Sequence, residues 1–154
     1  MVLNPEVLAG LYKRLYQKLD MSDFDDRFRM QKFVYIAQSQ GINLGFFFNF
    51  YLFGPYSTDL ARTAFQITNF EKAKTLKFKD EVHEQKFSEI ISVLSKFKDD
   101  NKWLECASSI LFLKSLGYSR RHILNRIGNK VTRFENEYIV KVWTELINLG
   151  WLND

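Results

Sequence analysis

"FFFNFYLFGPYSTDLARTAF" spans Phe46 to Phe65, and its reading decides the fold. An apolar run passes into Gly54-Pro55, and a serine then opens a helical pattern. The run reads as a strand from Phe46 to Phe53. Phe46, Phe48, Phe50 and Leu52 share one face, and Phe47, Asn49, Tyr51 and Phe53 share the other. Both faces are mostly apolar, which predicts a strand covered on both sides. Gly54-Pro55 is expected to stop it, because proline lacks the N–H that a ladder needs. Ser57 or Thr58 is expected to cap the next helix, with Asp59 in its first turn and Leu60, Ala64 and Ile67 inward. Aromatic side chains on a pleated surface are usually core. The stretch therefore reads as the central strand of a small sheet, with Phe48, Phe50 and Leu52 nearly fully buried, rather than as a dedicated ligand box.

Helical patterns flank this strand. Val7, Leu11, Leu15 and Leu19 recur at i+4 steps, which predicts a helix from Pro5 to Leu19 with Asn4 as N-cap. "MSDFDD" is a polar break. A second helix follows, from Phe24 or Arg27 to Gln40. Met30, Phe33, Val34 and Ala37 form its stripe, and Gly41 ends it. "KTLKFKD" predicts a short edge strand guarded by lysines. Further helices are expected over 82–97, 102–116, 119–127 and 134–148, the last closed by Gly150.

The bulk numbers frame this reading. The 154 residues fit a single domain, 1–154. It is organised as a helix-strand-helix core (1–100) that carries the Gly-Pro turn and a basic helical part (101–154). Hydrophobic residues make up 46% and charged residues 26%, an ordinary globular balance. Phenylalanine alone contributes 15 residues, which points to a bulky core. The fold class is α+β, mainly helical with a small antiparallel sheet. One cysteine excludes an internal disulfide and suits a reducing compartment. The start of the sequence has no basic, apolar leader pattern, and no apolar run reaches the ~20 residues of a bilayer span. A cytoplasmic protein without membrane attachment is expected.

Signals for catalysis are weak. His83 and His122 stand apart with no second His or Cys at ligand spacing, so neither a metal nor a cofactor is expected. Cys106 lies in an apolar helical pattern and reads as a buried thiol. Asp25-Asp26 and Asp99-Asp100 fall in breaks, where adjacent carboxylates point apart. The glycines are scattered and form no phosphate loop. The expectation is a protein that is not an enzyme.

The C-terminal third carries a different signal. "KSLGYSRRHILNRIGNKVTRF" holds Lys114, Arg120, Arg121, Arg126, Lys130 and Arg133 with no carboxylate between the first and the last. Long helix, short helix, turn and longer helix, followed by "LGWL", is the order of a winged-helix-like three-helix unit. Such a unit can lie along DNA phosphates through Arg120, Arg121, Arg126 and Lys130, with Asn125 and Asn129 among the side chains that can read bases. A solvated basic face is the alternative.

"RFRMQKFVYIAQ" (27–38) followed by "FYLFGPYS" (50–57) resembles the signature of Panacea-type (SocA-like) antitoxin and adaptor domains. That pattern is a helix of the form K-L-Q-K-L-L-Y-x-A-Q and then an aromatic strand ending in Y-G-P. Arg29, Met30, Gln31, Lys32, Phe33, Tyr35, Ala37 and Gln38 match the helix, with Arg29 in place of lysine. Phe53, Gly54 and Pro55 match the strand end, with Phe53 in place of tyrosine. The likeness covers about residues 27 to 65. It implies a non-enzymatic, mostly helical module that binds a protein partner such as a toxin or a protease. Gln31 and Lys32 sit at the border of the apolar stripe. They are expected either to satisfy backbone groups where helix meets turn or, with Tyr35 and Tyr56, to line a partner-binding groove.

Overall fold

The computed structural model describes residues 3–128 and 134–153. In chain order the elements are α1 (Pro5–Tyr12), α2 (Phe24–Ser39), β1 (Asn49–Tyr51), β2 (Gly54–Tyr56), α3 (Thr58–Phe65), a 3-10 turn (Phe70–Lys72), α4 (Glu81–Leu94), α5 (Asn101–Ser115), α6 (Arg120–Gly128) and α7 (Asn136–Asn148). Among the described residues the fold is mainly helical with one antiparallel two-stranded sheet.

Short polar side chains start the helices. Asn4, Asp23, Ser57, Asp80 and Asp100 each accept a hydrogen bond from a first-turn N–H, which satisfies a donor that the helix leaves open. Helix α5 is the centre. It is buried from Trp103 to Leu113, and it packs on α2 and β2 on one side and on α6 and α7 on the other. The boundary expected near residue 100 therefore runs alongside an element that both parts share.

Three local expectations change. The Phe46–Phe53 run does not form one strand. It enters as irregular backbone, pairs only over Asn49–Tyr51, and reverses at Leu52-Phe53. Gly54-Pro55 does not stop the strand but opens its partner, with Phe50 opposite Pro55 and Tyr51 opposite Gly54. The reversal puts the positive φ on Gly54, at +94°, and not on Leu52 or Phe53. That is the pattern of a turn followed by a left-handed glycine, a hairpin signal that a continuous apolar run conceals. Phe46 and Phe48 are buried as expected, but Phe50 is half-buried and Leu52, at the hairpin tip, is 69% exposed. The other face is not covered either, since Phe47 and Tyr51 are exposed.

Helix α1 ends at Tyr12 rather than at Leu19, because the chain tightens there into i→i+3 bonds (Arg14 N to Leu11 O, Leu15 N to Tyr12 O). Leu15 and Tyr16 still reach the core from that turn. The "KTLKFKD" segment is no strand. It runs as irregular backbone along α1, and Leu76 N donates to Gly10 O at 3.1 Å. A Cβ on Gly10 would lie 2.6 Å from Leu76 Cγ, so this approach needs glycine.

Arg14 and Glu84 fasten the same region. The guanidinium holds the carboxylate through two bonds, at 2.8 and 2.6 Å, and also bonds Leu76 O and Ser88. Glu84 in turn accepts from Phe78 N. One ion pair thus joins the end of α1, the 73–80 segment and α4.

Candidate functional site

Helix α2 grips the hairpin segment with polar side chains. Gln31, two turns before Gln38, donates from Nε2 to Ser57 O at 2.9 Å and accepts from Ser57 N at 2.8 Å. Gln38 donates to Phe46 O at 2.9 Å and accepts from Phe46 N at 2.9 Å. Between them, Lys32 Nζ donates to Pro55 O at 2.8 Å and lies 5.2 Å from the Phe28 ring centroid. Residues seven apart share a helix face, so the two glutamines hold both ends of one chain segment. Gln31 and Lys32 are buried, not at the border of the apolar stripe, because the hairpin closes over them. They do satisfy backbone groups where helix meets turn.

Helix α5 presses on the same turn. A Cβ on Gly54 would lie 2.6 Å from Ser109 Oγ and 3.2 Å from Lys32 Nζ. Ser108 and Ser109 are the small residues that admit the strand, and the buried Ser109 hydroxyl has no hydrogen-bond partner among the described residues.

A cavity of about 330 Å³ opens between the start of α2, the hairpin and the start of α3. Phe24, Phe28, Met30 and Phe53 contribute apolar wall, and Gln31 and Lys32 line it from below. Arg27 is its second cation, and among the described residues no Asp or Glu lines it. Exposed apolar side chains surround it: Phe24, Tyr51, Leu52 and Tyr56. Tyr51 and Tyr56 meet edge to face, with centroids 5.5 Å apart.

The structure brings three of the four expected groove residues together: Gln31, Lys32 and Tyr56. Tyr35 is elsewhere. It is buried between the rings of Phe48 and Phe112, at 5.2 and 5.7 Å, and burial pushes its phenol pKa far above the ordinary value. Spacing alone does not single out Arg27, Phe24 or the clamping role of Gln38. The signal for Gln38 is a glutamine seven residues after Gln31.

The basic candidates lie on or after α6. Arg121 and Arg126 are exposed and Arg120 is half-buried. Arg120 lies 5.2 Å from the Trp143 ring and Arg126 lies 5.3 Å from the Phe50 ring. Lys130, with Asn129 and Arg133, lies outside the described residues. After α7, Trp151 and Leu152 are not in a strand, so no wing strand occurs among the described residues there.

Cys106 is fully buried, and burial raises its thiol pKa well above the ordinary value. The His83 ring bonds Asp80, the N-cap of α4, and His122 stacks on Tyr118. Among the described residues, no three His, Cys, Asp or Glu side chains gather as a metal site, and no helix is long and apolar enough to cross a membrane. Comparison with protein-family models, with curated proteins and with solved structures found no match.

Proposed function

We propose that this chain is a non-enzymatic protein-interaction module of antitoxin or adaptor type. The observation that carries this reading is the apolar rim at the hairpin, held in place by buried polar clamps. Phe24, Tyr51, Leu52 and Tyr56 keep apolar surface in water on a rigid support, at a cavity mouth. A contiguous apolar patch of this kind marks a docking surface on a soluble domain. The likeness of 27–38 and 50–57 to Panacea-type domains supports the same reading, because the residues that carry it include the clamp residues Gln31, Lys32 and Gln38 and the turn at Phe53-Gly54-Pro55.

Co-expression with the product of an adjacent open reading frame tests it, read by growth and by size-exclusion chromatography. The expected result is a stable complex that relieves growth arrest, and its loss in Leu52→Asp with an unchanged melting temperature. No complex and no relief would overturn the reading.

A second reading is a winged-helix nucleic-acid binder. It is favoured by one observation, the exposure of Arg121 and Arg126 on the carboxylate-free α6. Stacking of Arg126 on Phe50 leaves its charge available. Log K against log salt on duplex DNA would then have a slope of about −0.9 for each phosphate contacted. The Arg121→Gln/Arg126→Gln variant should flatten that slope by about 1.8. Weak wild-type binding that is blind to sequence favours the first reading instead.

A further inference from the structure

We propose that the cavity between α2 and the hairpin receives the C-terminal residue of a partner polypeptide, with its apolar side chain inside and its α-carboxylate on Arg27. This rests on the interaction-module reading and names the chemistry of the partner. A cavity of about 150 Å³ lined by apolar side chains holds a benzene ring. The cavity here, about 330 Å³, accommodates a Leu- or Phe-sized side chain together with its terminal group.

The charge on the wall selects the second half of the ligand. Arg27 is half-buried, lies 5.9 Å from the Phe24 ring, and uses Nη1 to bond Met21 O at 3.1 Å. It makes no ion pair with the described residues. The carboxylates at the start of α2 are committed elsewhere. Asp23 caps Asp26 N, Asp25 accepts from Asn101, and Asp26 accepts from Asp20 N and Lys18. Most of the planar donor fork of Arg27 therefore remains for an incoming carboxylate, the anion it fits best.

The rim decides between a polypeptide end and a free organic acid. A free acid confined to the cavity would touch Tyr51, Leu52 and Tyr56 only where they line it and would leave their outward apolar surface in water. The residues that precede a C-terminus would cover that surface as the chain leaves the cavity, and capture of a terminal carboxylate is a recurring mode of peptide recognition.

The test uses the full chain and fluorescein-labelled hexapeptides, randomised at five positions and ending in Leu or Phe. Each pool is made as the free acid and as the C-terminal amide, and binding is read by anisotropy. The expected result is acid binding at least tenfold tighter than amide, with that preference lost in Arg27→Gln and partly restored in Arg27→Lys. Filling the cavity with Ala61→Phe should abolish binding of both forms, while circular dichroism confirms the fold of each variant. Equal binding of acid and amide overturns the carboxylate assignment. Binding of decanoate without binding of peptide acids assigns the cavity to free acids and also overturns the proposal. If no peptide binds while the co-expressed complex stays sensitive to Leu52→Asp, this proposal falls and the module reading stands. If that complex is absent as well, both fall.

Discussion

Gln31 and Ser57 exchange two hydrogen bonds, the pair that a neighbouring antiparallel strand would give to one residue. Lys32 takes the carbonyl of Pro55 beside it. Side chains of α2 thus replace a third strand along β2 and close an edge that would otherwise invite pairing with another chain. Gln38 repeats the exchange with Phe46, so the irregular backbone before β1 is anchored in the same way, through bonds that are only partly buried.

Gln31→Ala should therefore cost about 2–4 kcal/mol, because it leaves a buried donor and a buried acceptor of Ser57 unpaired. Gln38→Ala should cost about 1 kcal/mol, since its bonds to Phe46 are only partly buried and water can replace them. Urea unfolding of both variants measures the order. A larger loss from Gln38→Ala would contradict the burial argument.

Gly54 faces two separate obstacles to a side chain. Its φ of +94° disfavours any L residue, and a Cβ would meet Ser109 Oγ at 2.6 Å. Gly54→Ala should lower stability markedly. Ser109→Ala alone should be nearly neutral, because its hydroxyl has no partner among the described residues. In the double variant, Ser109→Ala should recover part of the loss, by about 1 kcal/mol or more. Strict additivity would mean that backbone strain alone sets the cost.

Much of this core is legible from residue type. Capping residues and apolar spacing locate the helices, and the alternation of Phe46, Phe47, Phe48 and Asn49 gives their inward and outward directions correctly. What hides is the chain reversal at Leu52-Phe53. Both turn residues are apolar, so the sequence lacks the Asn-Gly or Asp-Gly pair that usually marks a hairpin. The 73–80 segment hides for a related reason: its partner is the helix backbone at Gly10, which no strand pattern encodes. In the site, the polar clamps are visible as glutamines in an apolar helix. Arg27 is not, because its availability depends on which carboxylates nearby are already committed.

Phe48 and Leu52 should separate cleanly, although the continuous run makes them look alike. Phe48 is buried against Tyr35, so Phe48→Ala should cost about 3–5 kcal/mol through the cavity it leaves. Leu52 is 69% exposed at the hairpin tip, so Leu52→Ala should stay within about 0.5 kcal/mol. Thermal melts of both variants decide this. A large loss from Leu52→Ala would mean that the tip belongs to the core and not to a docking rim.

Glu84 gives the fold a defined acid dependence. The Arg14 hydrogen bonds, with help from Phe78 N and Ser88, hold its carboxyl at about 2, below the ordinary 4.5. A depressed folded pKa stabilises the fold wherever the unfolded carboxyl is already ionised. The contribution is thus complete above about pH 4.5. It declines as the pH falls from there, because the unfolded chain takes up the proton first, and it is lost once the folded pKa near 2 is passed. Glu84→Gln removes the charge and keeps the side-chain length. It should lower the melting temperature at pH 7, since it weakens the joint between α1, the 73–80 segment and α4. The gap between wild type and variant should narrow steadily from pH 4.5 to pH 2. A gap of constant size across that interval would assign the loss to packing around Arg14 and Phe87, where the guanidinium lies 4.8 Å from the ring, and not to the ionised pair.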